Sequence, residues 1–188
     1  MMVRMLYTRK GDKGDTGLFG CNQRISKSSA IAEALGTLDE CNSFLGVCRA
    51  RARKESAGAY EKPLHDILFG VQNILFTVQA EIAGTEKTVP EGSVREVERV
   101  IDAIEKTLPP IKSFFVPGAT PLSAHLDFAR TLARRAERRV VAVAEEGSVS
   151  VGEHTLRYLN RLSSLLYALA RSEAAASGEK ETPPQYAA

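Results

Sequence analysis

The 188-residue chain is short of cysteine, of long apolar runs and of charge imbalance, and each shortage removes a class of protein. Its three cysteines, Cys21, Cys41 and Cys48, are odd in number and match no zinc-ligand spacing, which argues against a disulfide framework or a zinc module. Cys41 and Cys48 fall on one helical face and read as small buried hydrophobes in a reducing compartment. No stretch is long and apolar enough to span a bilayer, and the first residues lack the apolar core and cleavage pattern of a signal peptide. The expectation is a cytoplasmic protein with no membrane partner. With 25 basic and 23 acidic residues the formal charge is +2, so no global field draws the chain to nucleic acid, and any anion site must be local. None of His65, His125 and His154 follows a glutamate three residues earlier, which removes the Glu-x-x-His pairs of a di-iron bundle. No protein metal site is assigned.

What is present is helical periodicity, with 44% hydrophobic residues to fill one domain over 1–188. Ile31, Leu35, Leu38, Leu45 and Cys48 predict a helix from about Lys27 to Arg53. Pro63 opens a second, running to Gly84, and "SVRE" at Ser93 to Glu96 has the form of a capping box for a third that Pro109 and Pro110 stop. Thr120 and Pro121 supply the cap and first turn of a fourth helix, to about Glu146, and a fifth spans about Val151 to Ala176 before Gly178. Strand alternation is absent outside the N-terminal segment, and there is no internal repeat. The predicted fold is all-α: a five-helix antiparallel bundle with a non-helical arm over residues 1–24 and a mobile tail over 177–188.

Two segments carry candidate chemistry. In the arm, "TRKGDKGDTG" combines three glycines with Arg9, Lys10 and Lys13; it is either a disordered start or a cradle whose backbone N–H groups converge on a phosphate. In the fourth helix, Asp127, Arg130, Arg134, Glu137 and Arg138 share a face beside the core stripe Ala129, Ala133, Ala136, Val140 and Val143. An amphipathic helix with a solvated charged face accounts for such a pattern. Against that, every cation on the face is arginine, the residue suited to bidentate phosphate contacts, and small alanines allow close packing beside it. Asn160 in the fifth helix is disfavoured by propensity and either faces water or has a specific partner.

"YTRKGDKGDTGLFG", "RISKSS", "GTLDECNSFLG", "FFVPGA", "ARTLARRAERRV" and "YLNRLSSLLYALAR" occur in the order and approximate spacing of the PduO-type ATP:cob(I)alamin adenosyltransferases, which the chain resembles from about Leu6 to Ser172. The resemblance implies a ferritin-like five-helix bundle, assembled as a homotrimer with active sites between subunits. It implies that the substrates are ATP, with Mg²⁺, and cob(I)alamin, and that the product is adenosylcobalamin. Thr8, Arg9, Lys10, Gly11, Thr16, Gly17 and Lys27 match the segment that wraps the triphosphate; Arg134, Arg135, Glu137, Arg138 and Asn160 match further nucleotide contacts. Asp39 and Arg130 match a salt bridge across the subunit interface, and Phe114 matches the aromatic residue under the corrin ring. Arg134, Asp39, Arg130 and Phe114 form the catalytic set so implied. The chain departs from the family pattern at Cys41, where leucine is usual, at Ser164, where aspartate is common, and in "LFGCNQRISK", about one residue longer than common versions.

The residue chemistry agrees with this assignment. Cob(I)alamin is itself a strong nucleophile, so no serine, cysteine or histidine base is required, and the chain shows no convincing triad. Phe114 stands in a loop stiffened by Pro110 and Pro117, as a wedge against the lower face of the corrin or as an ordinary core aromatic. A noncatalytic bundle that binds ATP or a corrinoid as sensor or carrier is the alternative.

Overall fold

The structure, a computed structural model, describes residues 7–18, 23–52 and 61–186; Cys21, Arg53 and the middle of the arm lie outside these. Its elements in order are β1 (Asp15–Gly17), β2 (Arg24–Ser26), α1 (Ala30–Arg51), α2 (Leu64–Ile82), α3 (Glu91–Glu105), α4 (Pro121–Glu146) and α5 (Glu153–Ala176). Side by side the helices run α2, α1, α4, α5, α3. This is the expected five-helix bundle. The six-residue connection from α4 to α5 leaves no length for a crossover, so those two helices are antiparallel neighbours.

The predicted apolar stripes are the core. Leu38 and Leu45 of α1, Leu68 and Leu75 of α2, Ala129, Ala133, Ala136, Val140 and Val143 of α4, and Leu159, Leu162, Leu166 and Leu169 of α5 are all buried. Cys41 and Cys48 are fully buried among them, and burial pushes their thiols up to about 12 and about 11.

Helix ends follow local chemistry in most places. Ser29 caps α1, accepting from the Ala32 N–H at 3.3 Å. At α4, Thr120 accepts from the Ser123 N–H at 3.1 Å while Ser123 accepts from the Thr120 N–H at 2.8 Å, with Pro121 in the first turn. Gly147 closes that helix in the left-handed region at φ 67°.

The third helix departs from expectation. It begins at Glu91, with Pro90 as its cap residue, so Ser93 already lies in the first turn, where its N–H donates to the Pro90 carbonyl at 3.0 Å. Glu96 is spent elsewhere, paired with Lys62 at 2.6 Å and with Arg99. Proline, held at φ −67° and extended in ψ, starts the helix three residues ahead of the local box. The start of α5 likewise has no cap from its own sequence. Glu81, buried on α2, accepts from the Gly152 N–H at 2.6 Å and from the Thr155 hydroxyl.

The arm is a short hairpin, and the stretch after α5, which its composition reads as mobile, makes contacts. Thr16 pairs with Ile25 and Gly17 with Arg24 in an antiparallel ladder. Beyond Gly178, at φ 77°, Glu181 is ion-paired to Arg171 at 2.6 Å, and the Thr182 carbonyl accepts from the Val116 N–H at 2.8 Å.

Candidate active site

The arm's turn is held shut by its own cations. Arg24 donates twice to Asp15, at 2.8 Å each, and once to the Lys10 carbonyl at 2.7 Å; Lys27 donates to the Gly11 carbonyl at 3.0 Å. The Arg24 guanidinium holds the Asp15 carboxyl below the usual carboxylate range. A Cβ on Gly11 would stand 3.1 Å from the Asp15 carbonyl and 3.2 Å from Lys27 Nζ, so only glycine fits without displacement. Arg9, at φ 58°, adopts the left-handed conformation and lies over the Tyr7 ring. Thr8, Arg9 and Lys10 on the turn, Thr16 and Gly17 on β1 and Lys27 just after β2 are thus brought together by one small hairpin.

A cavity of about 770 Å³ adjoins this hairpin, lined by Gly17 and Leu18, by Leu35, Gly36 and Asp39 of α1, and by Phe76, Thr77 and Ala80 of α2. Asp39 is exposed at its edge.

The other predicted residues stand on α4, α5 and the loop before α4. Phe114, Arg130 and Arg134 line a second cavity of about 570 Å³ together with Asp127, Ser163 and Tyr167. Phe114 is 80% exposed, so it is a presented aromatic and not a core one. Arg130 donates to Asp127 at 3.2 Å and lies 5.9 Å from the Tyr167 ring centre. Burial raises the Asp127 carboxyl despite the guanidinium beside it. Asp39 and Arg130 therefore line different cavities, and the partner of Arg130 within one chain is Asp127.

Along α4 the cations differ in how they are engaged. Arg135 is paired with Glu40 and Arg139 with Glu33 at 3.4 Å, both across to α1, and Arg138 donates to the Arg134 carbonyl at 3.0 Å. Arg134, by contrast, has no carboxylate partner among the described residues and lines the second cavity. Glu137 accepts from the Asn160 amide at 3.0 Å, and Arg161, held by Glu98 at 3.0 Å, donates to the amide oxygen of Asn160 at 2.7 Å. Asn160 thus has specific partners on both sides.

The cobalamin adenosyltransferase family model matches residues 6–173. The chain belongs to that family. It is 43% identical over 176 residues to a corrinoid adenosyltransferase PduO of Citrobacter freundii, a match covering 89% of this chain and 49% of that protein. With a corrinoid adenosyltransferase of Bacillus subtilis it shares 42% over 177 residues, covering 92% and 88%. The chain spans about half the length of the PduO relatives it matches, 49% in each case. Among solved structures, a phenylalanine-to-alanine variant of the PduO-type ATP:corrinoid adenosyltransferase from Lactobacillus reuteri, complexed with cobalamin and ATP, superposes with a TM-score of 0.85 at 27% identity, covering 97% of this chain and all of that one. An arginine-to-lysine variant of the same enzyme, complexed with ATP, gives 0.83.

Family motifs alone left three residues unassigned that the geometry brings into play. Arg24 clasps the arm, Arg161 orients Asn160, and Asp127 holds Arg130. Asp127 was visible as the charge one turn before Arg130, but the partners of Arg24 and Arg161 lie 9 and 63 residues away, beyond any helical spacing. No helix among the described residues is long and apolar enough to cross a membrane.

Proposed function

We propose that the chain transfers the 5′-deoxyadenosyl group of ATP to the cobalt of cob(I)alamin, releasing triphosphate. The observation that carries this reading is the second cavity, which is lined both by an exposed aromatic, Phe114, and by Arg134, whose guanidinium is not ion-paired to any carboxylate among the described residues. One wall suits a flat apolar face and the other a growing anion.

In the reaction, the cobalt electron pair attacks C5′ of the ribose, the cobalt–carbon bond forms, the C5′–O bond breaks, and triphosphate leaves with that bonding pair. No proton moves in this step, so the protein's task is in-line positioning and stabilisation of charge on the leaving group. The arm's backbone, Lys10 and Lys27 suit the phosphates, and Arg134 with Arg138 suits the charge that develops as the bond breaks. Among the described residues no three His, Cys, Asp or Glu side chains gather as a cage for a metal, and Mg²⁺ belongs here to the nucleotide substrate, carried on phosphate oxygens. Cob(I)alamin is supplied by one-electron reduction of cob(II)alamin by an external reductant, and Phe114 favours that step by displacing the lower axial ligand.

We further propose that the site is completed between chains of a homotrimer, with Asp39 and the arm of one chain facing Arg130 and Arg134 of its neighbour. The separation of Asp39 from Arg130 within one chain supports this, as do Phe69 and Phe76, exposed two turns apart on one side of α2.

The test is a single optical assay: purified protein, ATP, Mg²⁺ and chemically reduced cob(I)alamin, followed at the absorbance of the cobalt–carbon bond. ATP-dependent adenosylcobalamin is the expected product, and Arg134→Ala should lower kcat/KM by about 10²–10³-fold. Binding of ATP with no product would favour the sensor or carrier instead.

A further inference from the structure

Arg171, near the end of α5, is 7% exposed, yet nothing in the proposed chemistry uses it. Its guanidinium donates twice to Glu181, at 2.6 and 2.9 Å, and once to the Pro109 carbonyl at 3.1 Å, and it lies 5.4 Å from the centre of the Phe115 ring. A buried cation is costly unless paired and hydrogen-bonded, and this one is both. It joins three segments: the helix that bears it, the irregular loop between α3 and α4, and the stretch after α5. A main-chain hydrogen bond from Val116 to the Thr182 carbonyl adds a second link between loop and stretch.

Both links reach the residues that directly follow Phe114. Phe115 packs on the guanidinium and Val116 is bonded to the stretch, while Phe114 itself is 80% exposed and so has little packing to hold it in place. Fixing the backbone of a loop residue with no core contact costs conformational entropy, and here the neighbours on its C-terminal side do the fixing. Tyr167 and Asp127 extend the same cluster, since both line the Phe114 cavity and the smaller one beside Arg171 and Glu181. Resting on the corrinoid reading given above, we infer that Arg171 and Glu181 are positioning residues for the corrinoid half of the site: they clamp the stretch around 181–182 against the loop and thereby fix where Phe114 stands.

The experiment uses full-length Glu181→Ala and, as the conservative variant, Glu181→Gln. Three quantities are read beside the melting temperature: the KM for ATP, kcat/KM for cob(I)alamin, and the absorption spectrum of bound cob(II)alamin with ATP present, which reports loss of the lower axial ligand. Hydrogen exchange of the peptide spanning 109–118 reports the loop directly. For Glu181→Ala we expect faster exchange in that peptide, a drop of about tenfold to a hundredfold in kcat/KM for the corrinoid, a diminished ligand-off spectrum and an ATP KM within about twofold of the parent. Glu181→Gln, which keeps one acceptor for the guanidinium, should fall between. Unchanged exchange in 109–118 would overturn the clamp. Faster exchange with an unaltered cob(II)alamin spectrum, or losses that fall equally on ATP and corrinoid, would reduce it to a structural fastening. A parent protein that binds no corrinoid would defeat the functional reading and this role with it, while the exchange result would still show whether the clamp exists.

Discussion

Asn160 on α5 donates its amide N–H to Glu137 on α4 at 3.0 Å, and its oxygen is taken by Arg161 at 2.7 Å. With one lone pair of the oxygen taken, the side chain keeps its second N–H and the other lone pair for a further partner, in an orientation that Arg161 fixes. Arg161→Ala frees the amide to rotate. We expect that variant to raise the KM for ATP by about tenfold, with little change in the corrinoid KM, because a hydrogen bond to a charged group is worth about 1.5–3 kcal/mol. Steady-state kinetics with each substrate varied in turn checks this, and equal effects on both would remove Arg161 from the nucleotide side.

Phe114 should separate the two substrates in the opposite sense. Its exposure means that Phe114→Ala costs the fold almost nothing, so ATP binding measured by calorimetry should persist while adenosylation collapses. Parallel loss of both would assign Phe114 to folding.

Glu81 tests the account of the bundle. Its carboxyl accepts from the Gly152 N–H at 2.6 Å and from the Thr155 hydroxyl, so it starts α5 from another helix. Glu81→Ala leaves the buried Thr155 hydroxyl without an acceptor, at a cost of about 1–3 kcal/mol, and frees the half-buried Gly152 N–H at a smaller one. A lowered denaturation midpoint with unchanged slope is the expected result, and an unchanged midpoint would show that water replaces the carboxyl.

The buried thiols make a pH prediction. Cys41 and Cys48 are raised from 9.0 to about 12 and about 11 by burial. At pH 9 the folded Cys48 is only about one per cent thiolate, so a thiolate-directed reagent should label neither residue until denaturant is added. The unfolded thiols ionise near 9.0 and the folded ones only at about 11 to 12, so the folded state holds more protons in that window. This contribution to stability is therefore present below pH 9 and is lost as pH rises from 9 through the folded values of about 11 to 12. Peptide mapping after native labelling checks the first point, and label at Cys41 in the native state would contradict the packing.

Much of this was legible in the sequence, because helices announce themselves over a single turn. The stripes Ala129 to Val143 and Leu159 to Leu169 follow from 3.6-residue spacing, and the α4 cap from Thr120 and Pro121 side by side. Ser93 misled because a local box competes with Pro90 three residues earlier, and proline set the start. Strands of three residues are too short for alternation to show, so the hairpin that orders the arm was hidden although its glycines and cations were plain. Glu81 with Gly152, Arg161 with Glu98 and Arg171 with Pro109 join residues more than sixty positions apart. Such pairs depend on which helices become neighbours, and no local rule carries that.

Adenosyl transfer at a site shared by two chains is tested most directly by mixing two defective ones. Asp39→Ala damages the α1 side and Arg134→Ala the α4 side, and each variant alone should be nearly inactive in the cob(I)alamin assay. Co-expressed and purified together, the two chains would assemble at random in the proposed homotrimer, a quarter of its sites would have both halves intact, and activity should recover to about a quarter of the parent value. A mixture no more active than either variant alone would contradict a site built across the interface and would return Asp39 and Arg134 to separate roles within one chain.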